Sequence, residues 1–298
     1  MLTKSNDLPF KILLGDDRSE YACAAVALLE DMPWPAGMDI TVFRAHTPNQ
    51  STDLILMEAA LNQTCQRLKE KGLNAHAELQ LGAATEKFLK YAEKQEPDLI
   101  ILGAKGLRAT PGILVGGVAQ QVVEYSACPV LVVRAPYSGL RNVMLVMDGS
   151  ASSRQALQFL GRLPLPAAAQ LWVMHVLPPP PIPQMMILES GMGFAPTALE
   201  DADAYSALAE EEKKQGQALV KQACEALELI GKPARSILKT GDAATEILAV
   251  AKEQKMDLLV SGSRGLSPIR RWLMGSVSRK LVHYSGCSVL VVRNEPVD

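Results

Sequence analysis

Aromatic residues are scarce in this chain, 5% of 298 residues, although 48% are hydrophobic. A core so poor in rings must be built from Val, Leu, Ile and Ala, the composition of parallel sheets covered by helices on both faces. Charge of one sign is missing too. The net charge is −2 and neither half has a long basic run, so the clustered Lys and Arg needed to neutralise phosphates are absent and nucleic acid is not expected as a partner. No apolar stretch reaches membrane-spanning length, and Met1–Phe10 has no apolar segment of the secretory kind; no membrane association and a cytoplasmic location are expected. The five cysteines (Cys23, Cys65, Cys128, Cys224, Cys287) are an odd, scattered set without a CxxC pair. They fit buried, reduced thiols better than a disulfide framework or a zinc site.

What the chain does have is a repeat of itself. Residues 98–134 and 257–293 align without a gap and are identical at nearly half their positions, including Gly103/Gly262, Gly106/Gly265, Gly116/Gly275, Tyr125/Tyr284 and Cys128/Cys287. Upstream, Lys11–Asp16 parallels Val143–Asp148, which sets Asp16 against Asp148, and Gly82-Ala83 parallels Gly241-Asp242. Two domains follow, 1–137 and 138–298, joined at the turn-rich Ala135–Gly139. The offset between copies changes, so the second holds an insertion at about 178–205, opening on consecutive prolines that preclude helix and ladder pairing and therefore read as a loop.

Each copy alternates strands with helices. In the second, strands are expected at Val143–Met147, Leu171–Val176, Arg235–Lys239, Asp257–Ser261 and Ser288–Arg293. Helices are expected at Ser152–Leu163 with Ser150 or Ser152 as N-cap, from about Glu210 to Ile230, at Ala244–Lys255 and at Ser276–Ser285. Five strands linked by four helices imply a doubly wound parallel sheet of the Rossmann-like kind in each domain, because parallel neighbours need crossovers. Ligands of such sheets sit beyond the strands' carboxyl ends, where strand order reverses.

That position is where the most informative motif falls. Gly262-Ser263-Arg264-Gly265 follows a strand, and nine residues later Gly275-Ser276 opens a helix. Glycines let backbone approach a phosphate, and free amides at the helix N-terminus hold the anion. Ser276 is expected either to cap the helix or to donate its hydroxyl to a phosphate oxygen, and Arg264 adds charge. No Lys follows the last glycine, so the loop is not a Walker A motif, nor is it GxGxxG.

These residues, with Asp148-Gly149-Ser150 before them and Cys287–Val292 after them, resemble the universal stress protein family in its ATP-binding branch. The resemblance covers both copies apart from the insertion. It implies an adenine nucleotide, ATP or another, with or without Mg, held by Asp148 and Val176 at the adenine or ribose end and by Ser261, Gly262, Arg264, Gly265, Gly275, Ser276 and Val277 around ribose and phosphates. It also implies pairing of the two last strands as a pseudo-dimer within the chain, and further pairing as a homodimer. The first copy keeps Asp16, Gly103, Gly106 and Gly116 as a second site, but Gly117 replaces Ser276, Arg44-Ala45 replaces His175-Val176, and Ala83 replaces Asp242. One hydroxyl contact is lost there, a matter of about 1 kcal/mol.

Other residues lead elsewhere only weakly. His46, His76, His175 and His283 form no metal spacing. The methionines, Met185-Met186 included, read as packing or loop residues, and no serine sits in a GxSxG elbow. Without a water-orienting group and metal ligands, at most slow ATPase activity is expected and no catalytic residue is assigned. The function classes are then a regulatory nucleotide-binding protein or an interaction scaffold with empty loops, with a third option of another adenine compound or a lipid-like ligand beneath the insertion.

Overall fold

The computed structural model describes residues 10–47, 54–107, 114–179, 200–265 and 274–293. The first half runs β1 Lys11–Gly15, α1 Glu20–Asp31, β2 Asp39–His46, α2 Leu54–Glu70, β3 Asn74–Leu81, α3 Ala84–Gln95, β4 Leu99–Gly103, α4 Gly117–Tyr125 and β5 Val130–Val133. The second repeats it with β6 Asn142–Val146, α5 Ala151–Arg162, β7 Gln170–Leu177, α6 Glu200–Glu228, β8 Ala234–Thr240, α7 Ala243–Glu253, β9 Leu258–Gly262, α8 Ser276–Tyr284 and β10 Ser288–Val292. This is the expected alternation. One expectation fails: the long helix begins at Glu200, not near Glu210, so the end of the supposed insertion loop is helical. The rest of the insertion, residues 180–199, lies outside the described residues.

All ten strands belong to one sheet of order β3-β2-β1-β4-β5-β10-β9-β6-β7-β8. Every pairing within a half is parallel, and only β5 and β10 meet antiparallel, with Leu131 opposite Leu290. The seam strands VLVV and SVLVV are buried along their whole length. Such unbroken apolar runs are what a strand covered on both faces requires. Leu131, Val133, Leu290 and Val292 face the layer of α1, α2, α5 and α6. Val130, Val132, Val289 and Val291 face α3, α4, α7 and α8. Both apolar layers thus run through the seam.

Polar contacts across the seam are crossed and nearly symmetric. Arg134, just after β5, donates from Nη2 to the Val282 carbonyl in the last turn of α8 at 2.8 Å, and its amide donates to Ser288 Oγ at 3.1 Å. Arg293, just after β10, donates to the Val123 carbonyl at 2.7 Å and also to that of Glu124, in the last turn of α4. A cation on the free carbonyls of a helix end satisfies acceptors and opposes the dipole's negative pole. Burial pushes both guanidinium pKa values down, yet arginine stays charged. Arg279 and Glu124 add an ion pair at 3.1 Å.

Removing the clamp should be measurable. Arg293→Met is expected to cost about 1.5–3 kcal/mol, the range for hydrogen bonds to charged groups. It would be read as a lower urea midpoint at unchanged slope. An unaltered midpoint would show that the clamp contributes nothing.

Candidate functional site

In each half the order of strands reverses beside the first strand, so β1 is flanked by β2 and β4, and β6 by β7 and β9. At the carboxyl end of β6 the chain turns through Asp148 and Gly149 into α5. Asp148 Oδ1 accepts the Ser150 amide at 3.0 Å, Gly149 takes a φ of +78°, and Ser150 caps α5 by accepting the Ser153 amide at 3.1 Å. The choice between Ser150 and Ser152 as cap is thereby settled for Ser150.

The glycine loop packs against that turn. A Cβ on Gly262 would lie 2.6 Å from the Ser152 carbonyl carbon, and one on Gly265 would lie 2.9 Å from Asp148 Oδ2. Ser150 Oγ donates to the Arg264 carbonyl at 3.3 Å, and the Gly275 amide closes the loop on the Ser263 carbonyl at 2.8 Å. The intervening residues 266–273 lie outside the described residues. Helix α8 then starts with Gly275 as its N-cap and no side-chain cap bond. Ser276 is therefore the first helical residue and not the cap that was one of its two expected roles; it is exposed. The first amides of α8 have no acceptor within the helix, and its positive dipole end faces the loop.

The remaining second-half residues fall around this cradle in different states. Ser261 is buried at 5% exposure, with its hydroxyl donating to the Gly262 carbonyl at 3.0 Å and lying 3.1 Å from Ser278 Oγ. Val176 and Val277 are half-buried against the apolar layer of α7 and α8. His175 places Nδ1 2.7 Å from the Met147 carbonyl, which explains it as a packed strand residue. Among the described residues no group of three or more His, Cys, Asp or Glu side chains could hold a metal.

The first half repeats the geometry one residue away from its expected place. Ser19 caps α1 and Arg18 has a φ of +64°, matching Ser150 and Gly149. Asp17 Oδ1 accepts the Ser19 amide at 3.0 Å, as Asp148 does for Ser150, and a Cβ on Gly106 would lie 2.5 Å from Asp17 Oδ2. Asp17, not Asp16, is thus the counterpart of Asp148. The apolar runs alone allow either pairing; the signal that decides is the serine two residues on, Ser19 or Ser150, which fixes the helix start. Asp16 instead stands at Met147's position, 4% exposed and 3.4 Å from the Arg44 guanidinium. Burial pushes the Arg44 pKa down, against the pull of Asp16 and Asp17.

Gly117 in place of Ser276 removes no helix cap. Helix α4 has Gly116 as its N-cap, just as α8 has Gly275, and neither has a side-chain cap. Asp16, Gly103, Gly106, Gly116 and Gly117 come together on one cavity of about 660 Å³, which Phe43, Arg44, Phe88 and Lys105 also line. Those last four were not anticipated as site residues, since the neighbourhood of β2, α3 and the loop is set by sheet order.

A loop of this geometry, present twice, has a counterpart among known proteins. The universal stress protein family model matches residues 10–134 and again 139–293. The chain belongs to the universal stress protein family. The universal stress protein YxiE of Bacillus subtilis is 35% identical over 153 residues, 51% of this chain and 99% of that protein. A universal stress protein of Thermus aquaticus is 30% identical over 154 residues, again 51% of this chain and 98% of its own length. Both relatives are thus the size of one half. A solved universal stress protein from Archaeoglobus fulgidus matches 97% of both chains with a TM-score of 0.65 at 19% identity, which shows the shared two-domain α/β fold. As in a pseudo-dimer of two such units, the two halves meet through their last strands.

The close approach at Gly262 is itself testable. Gly262→Ala forces backbone apart and is expected to lower stability by about 1–3 kcal/mol. Gly286→Ala, whose added Cβ meets nothing within 4 Å, serves as the control in the same thermal unfolding measurement. Equal melting temperatures for the two would refute the packing argument.

Proposed function

We propose that this universal stress protein is a cytoplasmic regulatory protein that binds ATP or another adenine nucleotide in its second half. The observation that carries the proposal is the N-terminus of α8, without a side-chain cap, beside a loop in which Gly262 and Gly265 leave no room for a Cβ. Such a terminus offers several amides and a positive dipole end to one anion. The residues present fit the group. Gly262, Gly265, Gly275 and Ser276 would hold phosphates, with Arg264 beside them, Val277 and Ser261 behind, and Asp148 and Val176 toward ribose and base. Mg would enter with the phosphates. The reading is binding rather than turnover, with slow hydrolysis as the upper limit.

Occupancy would be transmitted through contacts with partners. The seam already uses β5 and β10, so a homodimer of the whole chain would form through another surface.

Calorimetric titration of the full chain with Mg-ATP tests this. One nucleotide per chain is expected, and the double variant Gly275→Val, Ser276→Ala should weaken it at least about a hundredfold, near 2.7 kcal/mol, while the circular dichroism spectrum stays the same. If the wild-type chain takes up neither ATP, ADP nor AMP, the scaffold function stands in its place.

A further inference from the structure

The two cradles share one backbone arrangement and differ in lining. Four cradle positions that carry Ser261, Ser263, Ser276 and Ser278 in the second half carry Leu102, Ala104, Gly117 and Ala119 in the first. All four first-half residues line the 660 Å³ cavity. The hydroxyls have been removed together. Below them Phe43 and Phe88 replace Met174 and Ile247 and pack edge-on, with ring centroids 5.2 Å apart. Leu56, Met57 and Ala60 of α2 line the cavity as well. A volume of this size with largely apolar walls and a cluster of charged groups, Asp16, Asp17, Arg18, Arg44 and Lys105, at one side is the usual form of a small-molecule site.

Its polar groups are unbalanced in one direction. Each carboxylate oxygen of the two lining acids already accepts a protein donor: Asp16 from the Arg18 amide and Thr64 hydroxyl, both at 2.8 Å, and Asp17 from the Ser19 and Leu107 amides at 3.0 and 2.9 Å. Donors remain to spare. Arg44, 7% exposed, lines the cavity with a buried Nη2 that makes no hydrogen bond and whose ion-pair partner is Asp16 Oδ1 at 3.4 Å. Helix α4 reaches the same cavity at Gly116 and Gly117 without a side-chain cap, and a Cβ on Gly117 would meet nothing within 4 Å. A buried donor that has only a long ion pair and no hydrogen bond is incompletely satisfied, so a ligand bringing acceptor oxygens to it and to the α4 amides is favoured.

We propose that the first-half cavity binds an amphipathic anion, an apolar chain or ring system ending in one carboxylate- or phosphate-type head, and not a nucleotide. The head takes the amides of α4 and the Arg44 guanidinium; the body lies against Phe43, Phe88, Leu102 and Ala119. Without the four hydroxyls, the first half has fewer groups to match the alternating donors and acceptors of a ribose, whose desolvation would be less fully offset. The inference does not rest on nucleotide binding by the second half.

Calorimetry on the full chain with decanoate, decyl phosphate, decanol and inorganic phosphate tests it. One decanoate or decyl phosphate per chain is expected, the tighter of the two identifying the head. Decanol should bind at least about tenfold more weakly for want of the charge, and inorganic phosphate at least about a hundredfold more weakly for want of the apolar body. The double variant Leu102→Ser, Ala119→Ser, which installs the second-half residues, should weaken the tighter ligand at least about tenfold. Met57→Glu, on the half-exposed face of α2, should do the same without touching the core. Mg-ATP titrations of both variants should match the wild type. The proposal is overturned if neither amphiphile binds at up to about 1 mM, if decanol binds as well as decanoate, if Met57→Glu changes nothing, or if ATP competes with decanoate for the cavity.

Discussion

Everything in this molecule hangs on the antiparallel meeting of Val130–Val133 with Ser288–Val292. Each half alone would end in a strand apolar on both faces with one unpaired edge, which is a template for association with any similar edge. Pairing the two ends within one chain removes both edges and joins the apolar layers above and below the sheet. Because the second strand is tethered to the first, no association at low concentration is needed, and the effective concentration of the partner is set by the chain itself. The outer edges left over, β3 and β8, carry His76, Glu78, Arg235 and Lys239, charged or polar groups that discourage further pairing.

The seam also reaches the cradles. Arg134 and Arg293 each hold the last turn of a helix belonging to the other half, and the first turns of those helices are the uncapped ends of the two cradles. α4 and α8 are nine residues each, so a charge fixed at one end and an anion at the other act on the same short dipole. Cradle position is therefore set by the junction of the halves as much as by the glycines. Arg134 adds a second tie, since it donates to the Leu114 carbonyl just before the first cradle's helix.

How far the sequence speaks for this arrangement differs from element to element. The gap-free repeat of residues 98–134 and 257–293 makes the duplicated fold, the glycine loop and its helix legible, because identical glycines at identical spacing have one common cause. The start of α6 was not legible: the acidic run from Glu210 looks like a helix start, and only the structure shows ten further residues before it. The pairing of Asp16 with Asp148 was misplaced because strand β1 and strand β6 are both featureless apolar runs. Their register is fixed by the cap serines beyond them and by the left-handed residue before each serine. In the first half that residue is Arg18, which does not advertise a positive φ as Gly149 does. The cavity lining of Phe43, Arg44 and Phe88 depends on which strands become neighbours, and no local pattern carries that.

Arg44 shows how the two halves differ in chemistry where their backbones correspond. The carbonyl after β1, that of Asp16, and its counterpart after β6, that of Met147, each need a donor where the sheet splays. In the second half the ring of His175 approaches it at 2.7 Å. In the first, Arg44 Nε does so at 2.6 Å. The arginine performs the same structural task but brings a charge to a buried position, and a buried charge demands a counter-charge. Asp16 in place of Met147 supplies it at 3.4 Å. Asp16 also accepts from the Arg18 amide and the Thr64 hydroxyl, and its contact with the guanidinium stays a long ion pair with no hydrogen bond at Nη2. Capping this carbonyl with Arg44 therefore places a guanidinium over an apolar floor in the first half, while the second half, with Met147 and His175 at these places, has none there.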